Sequence, residues 1–241
     1  EKMKTNTKTS TIRTMVLVFL VLIPLKGISQ PRGFFMAPIR IGIHCDPLIS
    51  WISTNTSDNT SEGVRPGFDF GVNFYRYFAP NYAISTGIGF MNAGGRQSST
   101  DNIQILVPNG DPIDVLPGKE VIYKLKYLSV PFGLRLQTNE IGYLSFFSDI
   151  GFDTRILLSS RMNIPSAGIE NESGQKEVKP INFGWHVTFG GEYSLGGSTA
   201  LTAGVGFDDN FFDVTKDNTS VNQQQDRSLL KFIRFRVGVI F

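Results

Sequence analysis

The sequence predicts an all-β fold: an eight-stranded antiparallel up-and-down transmembrane β-barrel of the outer-membrane type, preceded by a cleavable signal peptide. Segments of about ten residues alternate between apolar and polar or small side chains, the period of two that is typical of strands. They exceed the usual strand length of about five or six residues and match a membrane-crossing strand. The connections between them are alternately long and short, which indicates a barrel whose two ends differ.

The composition favours a β-rich protein over a helical one. The 241 residues include 20 Phe and 25 Gly, and 18% are charged. A helical soluble domain of this size usually contains more Leu, Ala, Glu and Lys and fewer Gly and Phe.

Residues 1–29 are predicted to be a signal peptide. Four basic residues precede the apolar run from Met15 to Leu25, and the small residues Gly27 and Ser29 stand at positions −3 and −1 of a cut before Gln30. The run is too short for a helix that spans a bilayer, which needs about 20 residues, so an uncleaved anchor is the less favoured alternative. We therefore expect three parts: the signal (1–29), a short N-terminal segment (30–38) and the barrel (39–241).

Removing the signal changes the charge balance. It carries five of the 23 basic and one of the 21 acidic residues, which leaves 18 basic against 20 acidic side chains. A mature net charge of 18 − 20 = −2 gives no electrostatic support for nucleic acid as a partner. The single Cys45 has no second cysteine for a disulfide or a thiolate metal site, and we interpret it as a small apolar strand residue.

The first four strands are predicted at 39–46, 67–78, 82–92 and 127–138. The first ends where Asp46 precedes Pro47, and Pro80-Asn81 forms the turn between the second and third. Their apolar faces consist, in order, of Ile39, Ile41, Ile43 and Cys45; Phe68, Phe70, Val72 and Phe74; Tyr82, Ile84, Thr86, Ile88 and Phe90; and Leu128, Val130, Phe132, Leu134 and Leu136.

The last four strands are predicted at 141–152, 181–193, 199–211 and 229–241. Asn139-Glu140 marks the turn before the fifth, and Gly196-Gly197 is a strong hairpin signal between the sixth and seventh. Their apolar faces consist, in order, of Leu144, Phe146, Ile150 and Phe152; Phe183, Trp185, Val187 and Phe189; Leu201, Ala203, Val205 and Phe207; and Ile233, Phe235, Val237, Val239 and Phe241.

The long connections all fall at one end of such a barrel and the short turns at the other. Outer-membrane barrels have short periplasmic turns and long external loops. This predicts a multi-pass protein in the outer membrane of a Gram-negative bacterium, with both termini periplasmic. Because the opposite face of each strand is rich in Gly and sparse in charge, the apolar face is expected to contact outer-membrane lipid, and Tyr82, Tyr143, Tyr193 and Phe241 to form an interfacial girdle on the turn side.

The segment Tyr127-Leu-Ser-Val-Pro-Phe-Gly-Leu-Arg-Leu136 resembles a strand of the Bacteroidota PorT-like, or "porin family", outer-membrane β-barrels. Segments 81–88, 138–143 and 191–197 and the terminal Phe241 fit the same family. Ser129 stands where the family's pattern has an acidic residue, so no role of that carboxylate carries over. The resemblance implies an outer-membrane barrel, and some members of the family are linked to type IX secretion and gliding.

The inward faces contain five basic and six acidic residues, which we predict to form a charge network in the lumen. These residues are Arg40, Arg135, Arg155, Arg234 and Arg236 with Asp46, Asp69, Asp149, Asp153, Glu192 and Asp208. An eight-stranded barrel is only wide enough for its own side chains, so a plugged lumen is the main interpretation, and a narrow polar or ion pathway is the alternative.

The sequence offers little support for catalysis. His44 and His186 are the only histidines, and each falls mid-strand on the inward face, within reach of Asp46 or Glu192 as an acid–base pair or simply as a lumen residue. The sequence contains no Gly-x-Ser-x-Gly motif, no His-Glu-x-x-His motif and no Gly-rich phosphate loop. The prediction is a protein that is not an enzyme, with no catalytic, cofactor-binding or metal-binding residues.

Residues 95–120 form the longest connection and are unusually apolar, although three prolines interrupt them. Such a loop folds over the barrel mouth, extends the strands beyond the membrane, or docks a partner. The predicted function is a non-enzymatic outer-membrane barrel that serves as a scaffold or binds proteins of a secretion or envelope complex. The alternative is a narrow pore or carrier for small polar solutes.

Overall fold

The computed structural model describes residues 39–54, 59–99, 103–105, 113–215 and 228–241. The predicted signal peptide and N-terminal segment lie outside the described residues, so the boundaries at 29 and 38 stay predictions. Within the described ranges, no helix is long and apolar enough to cross a membrane.

Strands dominate the described part of the chain, with one 3-10 turn at Pro165–Ala167. The strands are β1 (Ile39–Thr54), β2 (Asn59–Gly63), β3 (Arg65–Ala79), β4 (Tyr82–Ser99), β5 (Ile103–Ile105), β6 (Ile113–Val115), β7 (Glu120–Gln137), β8 (Leu144–Ile164), β9 (Ile169–Ser173), β10 (Ile181–Gly196), β11 (Thr199–Asn210) and β12 (Ser228–Ile240).

The eight long strands close into an antiparallel barrel. Their order is β1-β3-β4-β7-β8-β10-β11-β12, and β12 pairs with β1. The short β2 and β9 extend the sheet beside β4 and β8, and β5 and β6 form a separate hairpin. The predicted eight-stranded barrel is confirmed.

The barrel strands run further than the sequence predicted, and the loops are correspondingly shorter. The expected end of β1 at Asp46 was wrong, because the strand continues through Pro47 to Thr54. Proline cannot donate a backbone hydrogen bond. Here Oδ1 of Asp46 accepts a hydrogen bond from the backbone N–H of Val237 at 3.0 Å, which satisfies a ladder donor beside the proline.

The two ends of the barrel differ as expected. The short connections 80–81, 138–143 and 197–198 lie at one end, together with Ile39 and Phe241, and we call it the turn end. The longer connections lie at the other end, which we call the loop end. In the described part of the 95–120 segment, β4 and β7 extend the barrel to Ser99 and Glu120, and β5 and β6 form a hairpin beyond them.

An apolar band covers the outer wall. On β7 the band runs from Leu128 to Leu136, which is eight residue steps with a rise of about 3.3 Å each. This length is comparable to the apolar band of roughly 25 Å in outer-membrane barrels. Tyr143 and Tyr193 pack together at the turn end with ring centroids 6.1 Å apart, and Tyr82 stacks on Phe78. These exposed rings match the expected girdle.

Two strands approach closely where glycine faces the interior. Gly133 on β7 lies opposite Gly151 on β8, and a Cβ added at Gly133 would stand 2.6 Å from the carbonyl oxygen of Ile150. No real side chain tolerates that distance, so glycine permits the tight curvature of a narrow barrel here.

The barrel interior has two chemically different halves. The turn-end half holds the charged residues. The loop-end half holds an apolar cluster that was not among the sequence-based predictions. We call it the loop-end apolar cluster; its main members are Leu48, Ile52, Met91, Ala93, Val115, Val121, Tyr123, Leu125, Tyr127, Met162, Ile164, Val178, Val214, Leu230 and Phe232.

Candidate functional site

All eleven charged residues named from the sequence face the interior, and each forms at least one ion pair. They fall into two groups. The turn-end group contains Arg40, Arg135, Asp149 and Glu192. The central group contains Asp46, Asp69, Asp153, Arg155, Asp208, Arg234 and Arg236.

Arg135 on β7 is the centre of the turn-end group. Its Nη1 donates to Oδ2 of Asp149 on the neighbouring β8 at 3.1 Å, and its Nη2 pairs with Oε1 of Glu192 on β10. The other oxygen of Glu192 accepts from Arg40 Nη1 and from Gln137 Nε2, both at 2.9 Å. Strands β1, β7, β8 and β10 are thereby joined across the lumen.

Two aromatic rings complete the packing around Arg135. The guanidinium carbon lies 4.5 Å from the ring centroid of Tyr75 and 3.8 Å from that of Phe147. The Arg135 side chain has 0% exposure. A fully desolvated guanidinium between two ring faces gains from cation–π attraction as well as from its carboxylates.

In the central group, Arg155 and Arg234 share one carboxylate oxygen. Oδ1 of Asp208 lies 3.0 Å from Arg155 Nη2 and 2.8 Å from Arg234 Nη2. Arg234 also donates to Asp69 at 3.0 Å, and Arg155 to Asp153 at 3.1 Å. The central group therefore joins β3, β8, β11 and β12.

Arg236 supports the same group from the β1 side. Its Nε donates to Oδ2 of Asp46 at 2.8 Å. The same oxygen lies 3.9 Å from Arg234 Nη1. Buried charges are tolerated when they are paired in this way, because an unpaired one costs several kcal/mol.

Of the two histidines, His44 lies near Asp46 as considered on sequence, whereas His186 has a different partner. His186 Nδ1 lies 2.9 Å from Asp153 Oδ2, not beside Glu192. His44 Nε2 is 4.0 Å from Asp46, and its Nδ1 contacts the amide of Asn73 at 3.0 Å. Both rings are buried inside the barrel.

Asp153, His186 and Asp208 bring potential ligand atoms within 4.8 Å of one another, a spacing that a metal ion could use. Arg155 and Arg234 already supply two positive charges to these carboxylates. A divalent cation would have to displace them, so the donor set fits an ion-pair cluster better than a metal site.

A small cavity lies between the two groups, lined by Asn73, Tyr75, Ser85, Asp149, His186 and Arg236 among others. Its volume is about 20 Å³. That is room for about one water molecule. A solute larger than water does not fit beside the His186–Asp153 pair.

The loop-end apolar cluster closes the other half of the interior. Phe232, Leu125 and Ile52 have 0% exposure. Connecting segments also contribute, since Val115, Val178 and Val214 are buried in the cluster although they lie outside the eight barrel strands. The connections thus fold over the barrel mouth.

This cluster was absent from the sequence-based prediction because the predicted strands ended too early. A signal is present in β7. From Leu128 to the turn end the apolar residues face outward, but on the loop-end side of Leu128 the apolar Leu125 and Tyr127 face inward and the charged Lys124 and Lys126 face outward. The partners Phe147 and Asn210 were also missed, because single aromatic or amide residues at inward positions carry no special pattern.

Comparison with known proteins decides the family. The sequence profile of the outer membrane protein beta-barrel domain matches residues 29–216, which is most of the chain. The chain belongs to the outer membrane protein beta-barrel domain family. Family membership agrees with the closed barrel and its apolar outer wall, and it supports a location in the outer membrane. No curated protein sequence matches the chain.

Solved structures of similar fold are distant in sequence. Neisserial surface protein A is 12% identical, over 83% of this chain and 95% of its own, with a TM-score of 0.44. OprG from Pseudomonas aeruginosa is 10% identical, over 85% of this chain and 95% of its own, with a TM-score of 0.43.

One neighbour corrects the prediction that the chain is not an enzyme. The outer membrane protease OmpT from Escherichia coli is 8% identical, over 88% of this chain and 99% of its own, with a TM-score of 0.40. The prediction that the chain is not an enzyme, which rested on the absence of known motifs, is contradicted by this finding.

Proposed function

We propose that this outer-membrane barrel has a closed lumen and acts as a membrane scaffold that presents its loop end to a protein of the cell envelope. The observation that carries the proposal is the filled interior. Paired charges occupy the turn-end half and apolar side chains occupy the loop-end half. The cavity between the two charged groups holds about one water molecule.

The filled interior gives less support to the alternative, a narrow pore or carrier. A solute entering at the turn end meets Arg135, whose guanidinium is held by two carboxylates and two rings. A solute entering at the loop end meets the apolar cluster, which offers no partner to a polar molecule. Passage in either direction requires rearrangement of packed side chains.

We further propose that the loop end faces the exterior of a Gram-negative cell and the turn end faces the periplasm. Short turns at 80–81 and 197–198 against longer connections at the other end are the arrangement of outer-membrane barrels. Ile39 and Phe241 lie at the turn end, so a periplasmic position of both termini follows from this orientation.

The partner surface is proposed to be the loop end, around the β5–β6 hairpin. Leu116 follows β6 and is 61% exposed, and Val64, which precedes β3, is 56% exposed. Exposed apolar side chains beyond the membrane band favour a protein contact. PorT-like identity and a place in type IX secretion rest only on the sequence resemblance, chiefly that of 127–136, and stay predictions.

Planar-bilayer recording tests the closed lumen. The purified full chain should give no steady single-channel currents, because neither half of the interior leaves an aqueous path. Steady ohmic currents from the folded protein would contradict the proposal and favour the pore.

Crosslinking in native membranes tests the partner surface. A Gly-Asn-Gly turn in place of residues 101–114, which keeps the buried Val115, should abolish a specific crosslinked protein that the unaltered chain retains. The same turn in place of residues 216–226 is the matched control and should leave the crosslink intact. Equal crosslinking by all three proteins would show that the hairpin is not the contact surface.

A further inference from the structure

We infer that the outer wall carries a binding site for the phosphate groups of anionic lipid, formed by Lys124, Lys126 and Arg161 at the loop-end border of the apolar band. The inference is independent of the closed lumen. It uses the proposed orientation only to identify the leaflet as the outer one.

The three cations point outward from neighbouring strands. Along β7 the buried and accessible residues alternate, with Val121, Tyr123, Leu125 and Tyr127 inside and Lys124 and Lys126 on the outer face. Lys124 lies directly opposite Arg161 on β8, and Lys126 lies opposite Ser159. Arg161 is exposed and shares the outer face with Lys124.

The site lies at the limit of the lipid-facing band. Leu128 follows Lys126 on the outer face of β7, and its cross-strand partners Phe90 and Ile156 are both exposed apolar residues. A molecule that binds the cations from the side therefore has its remaining part against an apolar wall. This arrangement suits a lipid headgroup with its acyl chains below, and suits a soluble anion less well.

The arrangement of the cations is unfavourable for the barrel alone. Like charges directly opposite each other on adjacent strands destabilise a sheet. Among the described residues, no carboxylate lies within ion-pair distance of Lys124, Lys126 or Arg161. The guanidinium of Arg161 instead donates to the backbone carbonyl of Asn171 at 3.0 Å. An external anion relieves the repulsion between Lys124 and Arg161.

Two other cations on the outer wall near this border have carboxylate partners. Arg96, on the adjacent β4, pairs with Glu120 at 3.3 Å. On the opposite wall, Lys231 is the residue at the loop-end limit of the band on β12, and it pairs with Asp209 at 3.5 Å. Aromatic contacts mark that wall instead, where Phe207 packs between Trp51 and Trp185. The uncompensated positive charge is therefore concentrated on β7 and β8.

Native mass spectrometry of the full chain in zwitterionic detergent tests the inference, with lipid A as the bisphosphorylated probe. Replacement of all three cations (Lys124→Gln, Lys126→Gln, Arg161→Gln) should weaken lipid A binding at least about tenfold, since each cation near an anionic lipid surface contributes to affinity. Lys231→Gln is the matched control and should bind lipid A as the unaltered chain does. Phosphatidylcholine should bind all of these proteins equally.

Several outcomes would overturn the inference. Undiminished lipid A binding by the triple variant is one, and an equal loss in Lys231→Gln is another. Displacement of lipid A by millimolar inorganic phosphate would show a site for soluble anions instead. If the triple variant does not fold, Lys124→Arg with Lys126→Arg should retain binding and Lys124→Gln with Lys126→Gln should lose it. Channel currents would refute the closed lumen without affecting these results, so the two proposals fail separately.

Discussion

Arg234 on β12 donates a hydrogen bond of 3.0 Å to Asp69 on β3, across the intervening strand β1. The two residues are 165 positions apart in sequence. Strands β12 and β3 share no backbone hydrogen bonds, whereas Asp208 and Asp46, the other partners of Arg234, lie on β11 and β1, which pair directly with β12. The charged lumen thus acts as a set of internal crosslinks.

Arg234→Met should destabilise the barrel by about 3–5 kcal/mol, because Asp69 and Asp208 each lose a buried partner. Urea unfolding in lipid vesicles, followed by the fluorescence of the two tryptophans, measures the change. Arg76→Met is the control. Arg76 is exposed on the outer face of β3, and its replacement should leave the free energy of unfolding nearly unchanged. An unaltered unfolding curve for Arg234→Met would place Arg234 in solvent.

Phe232→Ala should cost about 3–5 kcal/mol of stability, because it leaves a cavity in the loop-end apolar cluster. Phe235 on the same strand faces outward and is 40% exposed. Phe235→Ala should cost clearly less, since lipid fills the space that the ring vacates. The same unfolding assay compares the two variants. Equal losses would argue against an apolar core inside the barrel.

Gly133→Ala should destabilise the barrel by about 1–3 kcal/mol, the usual cost of overpacking, because the new methyl group would collide with the backbone of β8. Gly191 faces outward on β10, and a Cβ there meets its nearest neighbour at an ordinary 3.5 Å. Gly191→Ala should therefore be tolerated. Folding yield and unfolding midpoint in vesicles are the readouts, and a stable Gly133→Ala protein would contradict the close approach of β7 and β8.

Cys45 offers a chemical test of the outer wall, since it lies exposed on the lipid face of β1 between Ile43 and Pro47. In vesicles a charged maleimide should not label it, because the charged reagent does not enter the apolar band, whereas a lipid-soluble maleimide should. Glu140→Cys in a Cys45→Ser background is the control and should react with both reagents at the turn end. Rapid labelling of Cys45 by the charged reagent would show that β1 borders water.

The sequence by itself determined the barrel and the inward position of its charges. Period-two alternation in eight segments indicates which side chains share a face. Arg135, for example, cannot turn to the other face of β7 unless Leu134 and Leu136 turn inward. The same pattern predicted the order of long and short connections. The face that a side chain occupies and the length of each connection depend on residues close together in the chain, so both can be predicted from the sequence.

Only the tertiary structure decided the pairing of charges and the extent of the strands. Arg135 pairs with Glu192, which is 57 residues away, because β7 and β10 pair with the two edges of β8 and both direct these side chains into the lumen. Beyond the membrane border the outer face of the barrel contacts water instead of lipid. There the polar Lys124 and Lys126 lie on the outer face, and the apolar Leu125 and Tyr127 lie in the interior. Alternation alone does not state which face meets lipid, water or core. That depends on where the membrane ends and on which strands close over the space inside.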